Sequence, residues 1–558
     1  MNTPYFAARA RRARLLAAVA LPAAALLATP AHATTPVAVE AVPTIADMVA
    51  LGSSSSSTPY LVVAGAQGGV FVWNGAGAAT TDNCTTFAAT GVGTGRWERQ
   101  NYAAQDAIPV SWCDTLAHAD AAAVAQAKSL YVDQAVTLAA NTTLSARRIT
   151  GQEKIALGGF TLAINGFYDP APYQVFNASD AASLTFRKPP TMWTGENFGA
   201  AGDGTTDDSA ADNAGLLMLR NEHGGNFVWR PNRVYKHAAQ VAFDMSAGQC
   251  STAPHYYCSP LITGFGAAVT TSGAFTALDI VGGDLNAGST IEGVTFDMNP
   301  NNSQIAAVRG IATAHGHWEN NDIICNTGGI GFELENSTTP TITPDNGSFL
   351  NTLAFNNISS IGHACAAGVM SLGDSNATNL LYNTISDSTI GVEVMYENAT
   401  AGGALLPAGF NVEGNTFEGD PTAVSVIGAN GEAAPAGLSV VNNWVDSGDT
   451  TAFFNYNSAT GGMLDPAVFP VVWMNRDEGG GATIIGNSGV TPFAPLRADT
   501  CSPLWSGPAP KCTIYSNQGG SFINGNNSYD MPNLPVTNPG AGHGWYYDST
   551  THAVTEGH

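Results

Sequence analysis

The feature that most restricts the fold of this chain is a short motif that recurs seven times between residues 293 and 490. Six copies carry an Asn, and the first carries a Val, followed in most copies by a variable residue and an apolar one. The recurring positions are Val294, Asn321, Asn356, Asn383, Asn415, Asn443 and Asn487, so successive copies are 27, 35, 27, 32, 28 and 44 residues apart. The last copy is looser than the others.

An internal period of this length is typical of a solenoid, in which each repeat buries its apolar side against the next repeat. The length suits a coil of a parallel β-helix, where stacking places equivalent residues about 4.8 Å apart. We therefore expect the repeated Asn residues to form a buried ladder, each bonded to the Asn above and below it. Their predicted role is structural and not catalytic.

Composition and charge restrict the possible partners. Charged residues make up 11% of the 558 residues, and the formal net charge is -24. After Lys236, the only cationic Lys or Arg residues are Arg309, Arg476, Arg497 and Lys511. A polyanion such as nucleic acid requires clustered cations, so we expect no nucleic-acid partner.

The N-terminus has the pattern of a secretory signal peptide. Arg9 to Arg14 form the basic region, Leu15 to Leu27 the apolar region, and Ala31-His-Ala33 the cleavage site. Cleavage after Ala33 would remove four Arg and no acidic residue, taking the formal charge from -24 to -28. We expect a secreted or periplasmic protein without a membrane partner, in which a flexible spacer (34–58) and a small β-rich module (59–125) follow.

The eight cysteines fall into neighbouring pairs along the chain, which are Cys84 with Cys113, Cys250 with Cys258, Cys325 with Cys365, and Cys501 with Cys512. In an exported protein this pattern favours disulfides over metal binding. The chain also has no CxxC motif and no paired His residues at ligand spacing. We expect no metal site, although the exact pairing of the cysteines stays open at this stage.

The most specific local motif lies between residues 198 and 235. It consists of Phe198-Gly-Ala-Ala-Gly-Asp203-Gly-Thr-Thr-Asp207-Asp208, a short helix over Ala214 to Arg220, and Gly224-Gly-Asn-Phe-Val-Trp-Arg-Pro231-Asn-Arg-Val-Tyr235. This segment resembles the opening of pectate-lyase-like proteins, a superfamily that includes rhamnogalacturonase-like and epimerase-like enzymes and phage tailspike depolymerases. Asp212 departs from the resemblance, because the family usually has an aliphatic residue there.

The resemblance implies an all-β fold, a right-handed parallel β-helix over residues 126–530 with its N-terminal cap at 195–237 and a tail at 531–558. It also implies that the aspartates of the cap are structural. The expected partner is a polysaccharide. Tailspike relatives form trimers, so a trimer is expected by analogy only.

Candidate catalytic residues follow from the alternation of a second strand in each coil. Ile330, Phe332 and Leu334 are expected to point inward, which turns Glu333 outward; the same pattern around residue 392 turns Glu393 outward. Two coils apart, their backbones would be about 9–10 Å from each other. Paired carboxyl groups at such spacing are typical of inverting glycosidases, and Asp374 on the coil between them is a third candidate. The alternative is a solvated acidic face.

Further residues are candidates for substrate binding. Glu335 and Glu397 flank the two catalytic candidates. His317 and Trp318 precede a ladder Asn, where an exposed Trp would stack on a sugar ring; the alternative is an aromatic residue that packs on its own coil. His363 lies beside Cys365.

Three classes of function are compatible with these features. The first is a glycoside hydrolase acting on a neutral or weakly charged polysaccharide, with no cofactor. The second is a polysaccharide lyase or uronate epimerase, which must neutralise the substrate carboxylate with cations or a bound Ca²⁺. The third is a non-catalytic carbohydrate-binding or adhesin-like protein, since fold alone does not fix function.

Overall fold

The computed structural model describes residues 39–445 with short gaps, together with seven strand segments beyond them. The gaps are 54–58, 64–66, 78–79, 171, 222–223, 247–249, 251–257, 283–287, 302, 337–346, 361–364, 374, 396, 400–402, 406–408 and 429–437. The later segments are 452–458, 483–485, 488–489, 513–515, 518–519, 545–548 and 553–556. Only the backbone is described for 397–399, 403–405, 426–428 and these later segments.

The first of two compact units comprises the chain up to Ala78 and Ala88–Gln100. It contains helix α1 (Ile45–Ala50) and the strands Glu40–Val42, Tyr60–Val62, Gly69–Asn74 and Arg96–Arg99. The first two strands pair in parallel and the others are antiparallel. Phe71 and Trp97 are fully buried in it.

The division into two compact units does not follow the bounds of the module 59–125 expected from the sequence. Residues from Asn101 onward belong to the second unit, because helix α2 (Leu116–Ala125) buries Leu116, Ala119 and Ala122 in the same core as the first coils.

The second unit opens with short strands that already stack in parallel. They form sheets of four, two and three strands. In chain order these nine strands are Ala107–Pro109, Ser129–Val132, Val136–Thr137, Thr142–Leu144, Arg148–Gly151, Ile155–Ala156, Leu162–Ile164, Phe167–Pro170 and Leu184–Phe186. The unit also contains the short strand Thr86–Phe87 and 3-10 turns at Tyr102–Ala104, Val110–Trp112, Ala178–Ser183 and Gly195–Phe198.

Two large parallel sheets follow and form the body of a right-handed parallel β-helix, as predicted. The twenty-stranded sheet consists of Met192–Trp193, Asp203–Asp207, Gly224–Val228, Val234–His237, Ser259–Thr271, Thr290–Asp297, His317–Glu319, Asp322–Ile324, Thr352–Ala354, Asn357–Ser359, Asn379–Leu381, Thr384–Ser386, Asn411–Glu413, Thr416–Glu418, Ser439–Val441, Trp444–Val445, Thr483–Ile485, Ser488–Gly489, Thr513–Tyr515 and Gln518–Gly519.

The eight-stranded sheet carries one strand per coil, numbered here β1 to β8. These are β1 (Ala242–Asp244), β2 (Leu278–Val281), β3 (Ala306–Ile311), β4 (Ile330–Glu335), β5 (Cys365–Leu372), β6 (Ser388–Met395), β7 (Thr422–Gly428) and β8 (Ala452–Ser458). Three further pairs are Ser348–Phe349 with Ser375–Asn376, Glu397–Ala399 with Gly403–Leu405, and Trp545–Asp548 with Ala553–Glu556.

The predicted Asn ladder is confirmed from Asn321 to Asn443. In each step the Nδ2 of one Asn donates to the Oδ1 of the next, at 2.9–3.0 Å. The same Oδ1 also accepts the backbone N–H of the preceding Asn. Val294 donates its N–H to Asn321 and so begins the ladder, whereas Asn487 lies outside the described residues. The ladder fixes the bend between two strands of the twenty-stranded sheet in every coil.

Apolar columns run inside the coils beside the ladder. One column contains Phe296, Ile323, Ile358, Ile385, Phe417 and Val445, all fully buried and in register. Each of these side chains packs against the equivalent side chain of the next coil. The apolar surface that is thereby removed from water supplies the main stabilising free energy of stacking.

Three of the predicted disulfides are confirmed: Cys84–Cys113, Cys250–Cys258 and Cys325–Cys365. Cys501 and Cys512 lie outside the described residues. Within the described part, no helix has the length and apolar character required to cross a bilayer.

The cap motif has the structural role predicted for its aspartates. The carboxylate of Asp208 accepts the backbone N–H groups of Ala201, Gly202 and Lys236. Helix α3 spans Ser209–Asn221, longer at both ends than the sequence suggested.

The unusual Asp212 is fully buried on α3, and its Oδ2 accepts from Trp229 Nε1 and pairs with His237 Nε2, both at 2.9 Å. This carboxylate thus links α3 to Trp229, directly after the strand Gly224–Val228, and to His237 at the end of the strand Val234–His237.

Candidate active site on the eight-stranded sheet

A single row of outward-facing residues runs across the eight-stranded sheet from β2 to β7. The strand register aligns Asp279, Arg309, Glu333, Met370, Glu393 and Ser425 on successive coils. Alternation produces this row, because Phe332 and Leu334 on either side of Glu333 are fully buried in the core. The predicted outward direction of Glu333 and Glu393 agrees with this register.

Glu333 and Glu393 are nevertheless shielded from solvent. Their relative exposures are 6% and 7%, so the alternative of a solvated acidic face does not describe these two residues. Oε2 of Glu333 is buried and has no hydrogen-bond partner. A buried oxygen without a partner is costly unless a ligand or water satisfies it, which makes this atom a natural contact point for a substrate hydroxyl or a water molecule.

Burial also changes the acidity of the two groups. Desolvation raises the pKa of Glu333, an effect that nearby Arg309 partly opposes and Asp279 reinforces. Desolvation alone raises the pKa of Glu393. The two carboxyl groups therefore differ in one respect: the guanidinium of Arg309 stabilises the ionised form of Glu333, whereas no cation among the described residues does so for Glu393.

The separation of the two groups follows from the register. Glu333 pairs with Met370 on β5, and Met370 pairs with Glu393 on β6. Their backbones are thus two coils, or about 9–10 Å, apart. The side chain between them is that of a Met, so it adds no charge to the space between the carboxyl groups.

Arg309 is fixed by acids on both sides. Its Nε and Nη2 donate to the two oxygens of Asp279 at 3.2 and 2.8 Å, and Nη1 lies 3.5 Å from Oε1 of Glu335. Gln240 also donates to Asp279. Burial raises the pKa of Asp279, and the bonds from Arg309 oppose the rise.

The structure brings three of the predicted residues together, namely Glu333, Glu335 and Glu393, on one face. His317 is on the twenty-stranded sheet instead, exposed and 3.7 Å from a carboxylate oxygen of Glu319. Asp374 and His363 lie outside the described residues. Glu397 begins the strand Glu397–Ala399, but its side chain lies outside the described part.

The prediction that Trp318 is an exposed sugar platform is wrong. Trp318 is fully buried, stacks on Phe332 with ring centroids 5.8 Å apart, and donates its Nε1 hydrogen to Ser289. It occupies an apolar column between Ile291 and Leu353 of the neighbouring coils. Trp318 instead matches the alternative interpretation, an aromatic residue that packs on its own coil.

Asp279 and Arg309 are the residues of this face that the sequence-based assignment missed. Asp279 lies between Leu278 and Ile280, the same alternation that identified Glu333, whereas Arg309 is followed by Gly310, so its strand shows the alternation less clearly. Among the described residues, no group of three or more His, Cys, Asp or Glu side chains is arranged to hold a metal ion.

Comparison with known proteins yields distant structural matches only. No family model matches the chain, and no curated protein does. Solved structures with a similar fold include ORF18 of Geobacillus virus E2, with a TM-score of 0.32 and 14% identity over 54% of this chain. The chain spans 59% of the length of that protein.

Two further matches are carbohydrate-active enzymes by name. The A-module of the mannuronan C-5 epimerase AlgE6 from Azotobacter vinelandii matches with a TM-score of 0.29 and 13% identity, over 59% of this chain and 94% of that one. The catalytic unit of the GH87 α-1,3-glucanase from Streptomyces thermodiastaticus matches with a TM-score of 0.32 and 13% identity, over 60% and 70%. All three have the right-handed β-helix fold that the cap motif predicts. At such low values the likeness identifies no activity.

Proposed function

We propose that this protein is an extracellular glycoside hydrolase that cleaves a neutral polysaccharide with Glu333 and Glu393 as its catalytic pair. The observation that supports this proposal is the placement of two carboxyl groups two coils apart on an outward row, each more than nine-tenths buried. Buried carboxyl groups without paired cations destabilise a fold, so their presence on an outer row favours a function.

The two environments suggest different roles. Glu393, whose pKa burial raises, acts as the acid and donates a proton to the glycosidic oxygen of the leaving group. Glu333, whose ionised form Arg309 stabilises, accepts a proton from water as the water attacks the anomeric carbon. Inverting enzymes separate their carboxyl groups by about 6.5–9.5 Å to admit this water, and tilting of the side chains from backbones about 9–10 Å apart reaches that range.

The charge around the pair favours a neutral substrate. Arg309 is the only Lys or Arg in strands β1 to β8, and it is already engaged by Asp279 and close to Glu335. Three acids surround this one cation when Glu333 is included. A uronate chain would bring further negative charge to this face.

The position of Arg309 one coil from Glu333 is the observation that favours a second candidate, a lyase or epimerase acting on a uronate. There Arg309 would neutralise the substrate carboxylate and Glu333 would abstract the neighbouring proton. This role requires Arg309 to exchange its bidentate contact with Asp279 for the substrate, which makes it the less favoured of the two.

Export is part of the proposal. Three disulfides among the described residues support folding in an oxidising compartment, in agreement with the predicted signal peptide at residues 1–33. Trimer formation remains an analogy with tailspike proteins.

The test is a screen of the mature protein against neutral and uronate-containing polysaccharides, in which reducing ends and the ultraviolet absorbance of unsaturated products are recorded together, with and without a chelator. We expect new reducing ends without absorbance, and a loss of at least about 100-fold in Glu333→Gln and Glu393→Gln. Glu418→Gln, an exposed carboxylate on the other large sheet, is the matched control and should retain full activity. Rising absorbance would instead establish the lyase, and full activity in both variants would refute the assigned pair.

A further inference from the structure

The turn before each ladder position adopts a left-handed backbone conformation in six successive coils. The residues there are Gly293, Asn320, Phe355, Tyr382, Gly414 and Asn442, with φ between 54° and 71°. Gly and Asn adopt this conformation readily, whereas other residues pay about 1–2 kcal/mol each. Phe355 and Tyr382 are therefore unusual occupants of this turn.

Neither aromatic residue compensates for this strain by entering the core. Phe355 is 57% exposed and Tyr382 is 53% exposed. Their rings stack, with centroids 5.6 Å apart and an interplanar angle of 13°. Such a pair contributes about 0.5–1.5 kcal/mol, less than the strain of two residues. Folding stability alone does not explain why aromatic side chains stand here, and exposed outliers of this kind are found at functional sites.

From Asn357 onward the outward row beside these rings carries uncharged polar groups and a further aromatic ring, whereas exposed Asp322 occupies the same row one coil earlier and exposed Glu418 lies two residues after Thr416. The strand after each ladder Asn turns Asn357, Thr384, Thr416 and Trp444 outward in register, about 4.8 Å apart. Trp444 is 40% exposed. The row is thus about 14 Å long, and it begins beside Phe355 and Tyr382. We call these six residues the aromatic strip.

We propose that the aromatic strip is a second carbohydrate-binding site, which holds a polysaccharide chain on the twenty-stranded sheet, away from the Glu333 and Glu393 face. The apolar faces of sugar rings would pack on Phe355, Tyr382 and Trp444, and sugar hydroxyls would bond to the amide of Asn357 and the hydroxyls of Thr384 and Thr416.

The chemistry of the strip favours this ligand over other partners. None of its six residues is charged. A nucleic acid chain needs cationic side chains for its phosphates, so the strip does not suit it even though aromatic rings can stack on bases. A stable protein interface buries more than about 1,000 Å² around an apolar centre, whereas the strip is about 14 Å long and half of its six residues are polar. A neutral polyhydroxylated chain matches both the rings and the polar row.

The experiment is depletion binding of the full mature protein to insoluble cellulose, α-1,3-glucan, xylan and mannan. The test variant is Phe355→Asn with Tyr382→Asn, because the chain itself uses Asn at the equivalent turns of two other coils. Phe167→Ser, which removes an equally exposed aromatic ring outside the strip, is the matched control.

We expect wild type and Phe167→Ser to bind at least one polymer. The affinity of the double variant for that polymer should be at least about tenfold lower. The melting temperature of the double variant should be equal or higher, because Asn relieves the turn. Equal binding by the double variant, or no binding of wild type to any of the four polymers, would overturn the proposal. A change of sedimentation coefficient in the double variant would instead identify the strip as an interface between copies.

Binding by Glu393→Gln, measured in parallel, separates this proposal from the catalytic one. If Glu393→Gln binds the polymer but no longer cleaves it, the result supports both the catalytic role of Glu393 and the binding role of the aromatic strip. Binding without cleavage in wild type supports the strip alone.

Discussion

Replacing Asp420 by Asn should stabilise the protein at neutral pH. Asp420 lies two residues before the start of β7 and is fully buried. Its Oδ1 accepts the N–H of Ser388 at 2.7 Å, while Oδ2 has no partner. Burial raises the pKa of this carboxyl group to about 8, and the negative charges of Asp387 and Glu418 act in the same direction. The native protein therefore holds Asp420 protonated at pH 7, whereas the unfolded chain ionises it.

The magnitude follows from linkage. Below the unfolded pKa of about 3.9, both states are protonated and the group has no effect. Between pH 4 and pH 8 the unfolded state loses its proton and the folded state does not, so stability falls by about 1.4 kcal/mol per pH unit. At pH 7 the loss amounts to about 4 kcal/mol. The amide oxygen of Asn can still accept the N–H of Ser388, and its amide N–H group replaces the O–H of the protonated acid. The amide does not ionise.

Denaturant unfolding of wild type and Asp420→Asn at pH 4.5, 6 and 7.5 provides the assay. We expect nearly equal stability at pH 4.5 and an advantage of Asp420→Asn that grows with each pH step. Asp387→Asn, at an exposed turn nearby, should show a much smaller dependence. An advantage that is constant with pH, or a variant less stable than wild type at pH 7.5, would refute the assignment of a protonated Asp420.

Three further predictions concern the ladder, the core and the active site. Asn383→Ala removes four buried hydrogen bonds and should cost about 3–5 kcal/mol in denaturant unfolding, whereas Asn357→Ala on the exposed row should cost less than about 0.5 kcal/mol. Trp318→Ala should cost about 3–5 kcal/mol and leave polysaccharide affinity per folded molecule unchanged; a selective loss of affinity would contradict its burial. Arg309→Gln should raise the pKa of Glu333, because the cation that stabilises its ionised carboxylate is lost. The acidic limb of the pH–rate profile should therefore move to higher pH. An acidic limb at the same pH as in wild type would exclude Glu333 as the base.

The features that could be predicted from the sequence are those repeated at short range. The Asn ladder is visible because each copy carries its own Asn beside an apolar residue, and Glu333 and Glu393 are visible because their strands alternate strictly. Trp318 was misassigned although a relevant pattern was present. The residue three before each ladder position is apolar in every described coil, as in Ile291, Leu353, Leu380, Val412 and Val440, and all of these are buried.

The remaining errors come from contacts between coils of unequal length. Asp279, Arg309 and Glu333 are 30 and 24 residues apart, and Met370 follows 37 residues later, so no constant spacing identifies them as neighbours. The assignment of residues 101–125 to the second compact unit also depends on contacts between coils. The Ala-rich helix α2 has little amphipathic pattern of its own, and only its packing on the first coils assigns it to the solenoid.

The Asn ladder also has a consequence for the evolution of the chain. Every coil satisfies the ladder donors of the coil before it and presents the same donors to the coil after it. A duplicated or deleted coil that carries one Asn therefore restores every bond at the junction. Homologues that differ by whole coils, with the outer faces shortened or extended by about 4.8 Å per coil, would remain foldable, so the length of the outer faces can change in single genetic steps while the core remains the same.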